Sequence, residues 1–140
     1  MQVLDYHIEA DLHYNEEEID NFISHCEDII NNATQNKNTA FKLKIAVHEL
    51  VVNCVEHGYQ KRSGKVVFSL KKLEGKVLLE ISDQGKGFSF NATQFENKPN
   101  SLDEIQARGW GLLIINRLVE KMDVQALEPI GTKVSIVVPD

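Results

Sequence analysis

Near residue 65 the apolar residues of this chain change period, and that change constrains the architecture more than any other feature. Before it, Ile19, Phe22, Ile23, Cys26, Ile29, Ile30 and Ala33 recur at steps of three and four. That spacing predicts an amphipathic helix of about four turns. Asn15 stands ahead of it as a cap, with Glu16, Glu17 and Glu18 in the first turn, where the helix dipole favours anions. A second helix is predicted over 39–57. From Lys65 onward the apolar residues alternate instead. Val66, Phe68 and Leu70 share one face, Glu74-Gly75 makes a turn, and Val77, Leu79 and Ile81 share a face again. This predicts a hairpin over 65–82. Helices and strands that are each apolar on one side bury those sides best against one another.

The remaining segments fit the same scheme. Residues 3–9 read as a short strand and 31–39 as a polar loop. A third helix, apolar around most of its circumference, is expected over 109–122. Two last strands, 123–127 and 132–138, are joined by Glu128-Pro129-Ile130-Gly131. The order β-α-α-β-β-loop-α-β-β predicts an α+β fold: a two-layer α/β sandwich, with a mixed, mostly antiparallel sheet and helices on one face. With 140 residues the chain makes a single domain over 1–140, able to bury roughly two-thirds of its unfolded surface without a metal or disulfide staple. The stretch of about 20 residues before the third helix is long for a compact domain, and loops of that length are usually functional or disordered.

Charge and cysteine count narrow the function. The formal net charge is −6, a poor match to a nucleic-acid backbone, where affinity comes from neutralising phosphates. Nucleotide binding through a metal ion and backbone amides stays open. Cys26 and Cys54 are the two cysteines, both inside helical apolar patterns, which fits reduced core thiols in a cytoplasmic protein. No apolar run reaches the roughly 18 residues of a membrane span. The first ten residues carry Asp5 and Glu9 and lack the basic start and apolar core of a signal peptide.

The second helix carries a polar seam. At about 100° per residue, Asn53 and His57 fall about 40° and 80° from Glu49, bordering the apolar arc of Leu43, Val47, Leu50, Val51, Cys54 and Val55. Alone, a solvated helix edge would look the same. His48-Glu49 invites a zinc-protease reading, but Val52 stands where the second histidine is needed. Two glycine-rich segments follow. In the first, Asp83 ends a strand and Gly85 and Gly87 open a tight path. In the second, Arg108-Gly109-Trp110-Gly111-Leu112 opens the third helix. Free N–H groups at a helix N-terminus suit an anion, and Arg108 adds a charge. The chain has no G-x4-G-K-[ST] loop. It also lacks a dinucleotide fingerprint, because Ile114 occupies the third glycine's place.

Together these segments resemble the nucleotide-binding boxes of the GHKL ATPases, which share the Bergerat fold. E49-L-V-V-N53-C-V-E-H57-G-Y resembles the N box, D83-Q-G85-K-G87-F the first glycine box, R108-G109-W-G111-L-L-I the second, and G131-T132 the last. The small size, the E-x-x-x-N-x-x-x-H-G-Y form and Arg108 are similar to the anti-sigma-factor serine/threonine kinases. The resemblance implies ATP and Mg²⁺ as cofactors. It implies Asn53 as the Mg²⁺ ligand, Glu49 as the general base and His57 near the phosphates. Asp83 would accept from the adenine amino group, with Gly85 and Gly87 passing the base and ribose. Gly109, Gly111 and the Leu112 turn would cradle phosphates, Arg108 would contact the terminal one, and Thr132 would support the adenine pocket. Residues 88–108 would be the ATP lid.

The resemblance further implies an ATP-dependent kinase that phosphorylates an anti-anti-sigma-type protein and sequesters a sigma factor or similar target. It implies no direct nucleic-acid or membrane contact, and it admits a homodimer. A nucleotide-dependent protein-binding switch without phosphoryl transfer is the alternative. No paired helices carry a phosphoacceptor histidine, so an autophosphorylating sensor is not expected. His7, His13, His25 and His48 have no kinase context.

Overall fold

The computed structural model describes residues 4–58, 63–85 and 111–140. The elements are β1 (Leu4–Leu12), α1 (Glu16–Ala33), α2 (Lys37–Asn53) followed by a π-helical turn (Cys54–Gly58), β2 (Gly64–Leu73), β3 (Lys76–Asp83), α3 (Gly111–Leu118), β4 (Lys121–Ala126) and β5 (Thr132–Pro139). The strands form one sheet in the order β1-β2-β3-β5-β4. All four pairings are antiparallel, which sharpens the mixed, mostly antiparallel expectation.

Register turns the alternating sequence into layers. Tyr6, Leu70, Leu79, Ile136 and Met122 align in one row across the sheet, and Ile8, Phe68, Ile81, Val134 and Val124 in the next. Both rows face the helices and join one core with Phe22, Cys26, Ile30, Leu43, Val47 and Leu50. The opposite face is mostly polar, with Val67, Leu78 and Val137 set among its charged residues. Lys65 lies 2.9 Å from Glu9, Lys133 lies 3.0 Å from Glu80, and Ser135 Oγ donates to Glu80 at 2.9 Å. A sheet with one apolar and one charged face takes helices on one side only.

Capping sets the helix bounds. The Glu18 N–H donates to Asn15 Oδ1 at 3.1 Å, as the sequence predicts. The expected polar loop over 31–39 is shorter than its composition suggests. α1 runs to Ala33 and α2 starts at Lys37, because Asn36 Oδ1 accepts from the N–H groups of Asn38 and Thr39 at 3.0 and 3.2 Å. Polar residues there are caps rather than loop. The third helix also ends earlier than expected, and Met122 belongs to β4. Val119 N–H closes the last turn on the Ile115 carbonyl, and Glu120 N–H then donates to Val137 in β5 at 2.9 Å. Pairing with β5 draws the chain into the sheet before the helical pattern runs out.

One consequence positions the site. α2, β3 and the start of β5 converge at one end of the sheet, where Asn53, Asp83 and Thr132 terminate or open their elements.

Candidate functional site

Asp83 is the last residue of β3. It pairs with Val66 on one side and Thr132 on the other. Alternation puts it in the inward-facing row after Val77, Leu79 and Ile81, so its carboxylate enters the core rather than solvent and is 2% exposed. Oδ1 accepts from the Gly85 N–H at 2.9 Å. Oδ2 is buried and has no hydrogen-bond partner among the described residues. A buried polar atom without a partner is rare and costly. Such an acceptor suits an N–H donor brought by a ligand.

Thr132 lies directly across from Asp83 and is 5% exposed. Gly131 just before it has φ of 125°, and any Cβ there would collide with the Asp83 carbonyl oxygen. Glycine is therefore required for β5 to begin alongside the end of β3. This joins the start of the first glycine box, at Asp83, to the last box, Gly131-Thr132.

Glu49 and Asn53 sit one turn apart near the end of α2. Both are half-buried, between buried Leu50 and Val51 and the helix border. Among the described residues neither side chain has a hydrogen-bond partner. A carboxylate can accept a proton, and a neutral amide oxygen suits a hard cation. No group of three His, Cys, Asp or Glu side chains is placed to cage a metal among the described residues. A cation at Asn53 would take its other ligands from phosphates and water, as Mg²⁺ commonly does.

The helix does not run regularly to His57 as expected. The Cys54 N–H is shared between the Leu50 and Val51 carbonyls, and the chain then widens into the π turn. The turn shifts every later residue off the angle a regular helix would give, and π turns are frequent at functional sites. The backbone of His57 lies in that turn. The side chains of His57, Gly111 and Leu112 lie outside the described part, as do Gly87, Arg108, Gly109, Trp110 and the 88–108 segment.

Sequence reasoning treated Cys54 only as a core thiol. It is 3% exposed and opens the π turn that packs against β3, with its thiol beside the Asp83 carboxylate. Burial first, then the charge of Asp83, pushes the thiol well above its ordinary range. Adjacency to Asn53 was the available signal, but nothing local links residues 54 and 83. A cleft of about 390 Å³ also opens at this end, between the start of α1 and α2, with Tyr14, Ile19, Val52 and Glu56 in its walls.

Comparison with known proteins adds a family and a fold. The histidine kinase-like ATPase domain family matches residues 13–138. The serine-protein kinase RsbW of Staphylococcus epidermidis is 33% identical over 87 residues, covering 58% of this chain and 55% of the relative. The chain thus spans about half the length of the curated relatives it matches. Among solved structures, the RsbU and RsbW domains of Rv1364c from Mycobacterium tuberculosis superpose with a TM-score of 0.63 at 18% identity, over 96% of this chain and 32% of that one. The SiaB-SiaC complex from Pseudomonas aeruginosa also gives 0.63, at 12% identity, over 94% of this chain and 88% of the other. At such identities the structures establish the fold. No helix among the described residues is long and apolar enough to cross a membrane.

Proposed function

The chain belongs to the histidine kinase-like ATPase domain family, and from that premise we propose that it binds Mg²⁺-ATP and transfers the terminal phosphoryl group to a serine or threonine of an anti-anti-sigma-type protein. The observation that carries the reading is the buried Asp83 carboxylate, with one oxygen held by Gly85 and the other without a hydrogen-bond partner among the described residues. That oxygen is an acceptor suited to the exocyclic amino group of adenine. A 6-oxopurine would instead set acceptor against acceptor, which costs a buried hydrogen bond.

The chain's own residues divide the work. Asp83 selects the base, and Thr132 supports it from the neighbouring strand. Asn53 holds the cation through its side-chain oxygen. Mg²⁺ held there would supply positive charge against the negative charge of the phosphates. Glu49, one turn before Asn53, accepts the proton of the attacking hydroxyl. His57, Arg108, Gly109, Gly111 and the Leu112 turn are assigned to the phosphates, Gly85 and Gly87 to the base and ribose, and 88–108 to the lid. These assignments follow the sequence boxes. Regulation follows from competition, with a sigma factor or similar target held while its antagonist is phosphorylated. The setting is cytoplasmic, and a homodimer is compatible with the reading.

Calorimetric titration with ATP, ADP and GTP tests the site, and Trp110, the one tryptophan, offers a second signal by fluorescence. Removing the metal ligand in Asn53→Ala should cost about 2–4 kcal/mol of Mg-nucleotide interaction. Glu49→Gln should keep ATP affinity and abolish phosphorylation of the antagonist. Normal partner regulation in Glu49→Gln would favour a nucleotide-dependent binding switch without phosphoryl transfer.

A further inference from the structure

The proposed chemistry uses the flank of α2 that carries Glu49 and Asn53, and leaves its outward side without a task. Phe41, Ile45, His48 and Val52 follow one another at steps of four, three and four, the spacing of a helix-pairing seam. At about 100° per residue they fall within about 60° of one another, opposite the buried Leu43, Val47 and Leu50. The side of a helix that faces away from the core is normally polar. Here Phe41 is 58% exposed, the most exposed large apolar side chain among the described residues, and Ile45 and Val52 are half-buried.

Charge is split along this stripe. Lys37 and Lys44 flank its start. Its far end opens on the cleft beside the start of α1, walled by Glu16, Asp20 and Glu56. None of these charged groups forms an ion pair with another described residue. A stripe with a cationic and an anionic end complements itself once reversed. With a two-fold axis between Ile45 and His48, Phe41 meets Val52 of the partner subunit, and Lys37 approaches Glu56 of the partner subunit. The free edge of β1 lacks this fit. Asp5, Glu9 and Asp11 are exposed along it, and pairing that edge with itself sets carboxylates together. We infer that the outward stripe of α2 binds a second copy of this chain, antiparallel across a two-fold axis. The inference goes beyond phosphoryl transfer and does not depend on it, because no nucleotide takes part.

Sedimentation velocity of the full chain from about 1 to 100 μM tests it. The unmodified protein should show a monomer–dimer equilibrium in that range. Phe41→Asp, at an exposed position, should weaken the dimer about tenfold. Lys37→Glu and Glu56→Lys should each weaken it about fivefold, because the two-fold axis counts each change twice. In an equimolar mixture of those two variants, both contacts between positions 37 and 56 are opposite in charge again. Heterodimers should then form with the unmodified affinity, which a merely structural effect of either substitution cannot produce. If Phe41→Asp does not fold, the charge-reversed pair decides. A monomer throughout the range would overturn the inference. So would a dimer that Phe41→Asp and both charge reversals leave intact, which would put the contact elsewhere, as at the β1 edge.

Discussion

The two ends of the sheet treat buried polar groups in opposite ways. At the end of the β2–β3 turn, every group in a small network has a partner. Thr34 Oγ1 donates to Asp140 Oδ1, and Thr39 Oγ1 donates to the Pro139 carbonyl at 2.8 Å. Asp140 N–H reaches the Gly75 carbonyl at 3.0 Å, and Lys72 lies 3.4 Å from the Asp140 carboxylate. Both threonines are buried. At the other end Asp83 is just as buried, yet Oδ2 has no hydrogen-bond partner among the described residues. A closed network ties α1, α2 and β5 together and rigidifies them. An open one leaves a destabilising atom whose relief a ligand can supply. The closed end adds stability, and the open end is where we propose that a ligand binds.

Glycine substitutions should give the largest contrast. Gly131→Ala should lose about 3 kcal/mol of stability, from a positive φ and a collision with β3. Gly75→Ala, at φ of 75° in open space, should lose only about 1 kcal/mol. Urea midpoints measure both, and equal losses would break the comparison. Next in size is Asp83→Asn. It should weaken ATP binding about 30-fold, roughly 2 kcal/mol, while the urea midpoint hardly moves. An unfolded Asp83→Asn protein would show that the carboxylate serves the turn and not a ligand.

Thr39→Val should do the reverse, removing about 1 kcal/mol of stability with unchanged nucleotide affinity. The smallest effect belongs to the charged outer face. Lys65 and then His7 hold the Glu9 carboxyl below its usual value. A lowered carboxylate stabilises the fold above its ordinary titration range, and that support fades as pH falls through the lowered value. The pair is exposed, so Lys65→Gln should raise the Glu9 midpoint in an NMR titration and leave the melting temperature unchanged.

Much of this molecule was legible from spacing. The Asn15 cap, the alternation across β2 and β3 and the order of elements follow from residues close in sequence, where period and capping act. Asp83 was legible as a strand end followed by glycines. Its burial follows from the same alternation that buries Leu79 and Ile81. Errors fell where a distant partner intervened. α3 stops short because β5 captures Glu120, and the second helix widens after Asn53 where its turn meets β3.

By itself, then, the sequence determined the elements and their layers and suggested the set of nucleotide boxes, because each depends on side chains a few residues apart. Only the tertiary structure decided which of those side chains meet. Thr34 and Asp140 bond across 106 residues, and Cys54 comes to lie against Asp83. Gly131 must lack a Cβ because β3 ends beside it. Register and helix packing set these contacts, and no local spacing encodes them. The Asp83 oxygen that has no hydrogen-bond partner among the described residues is a property of the assembled sheet.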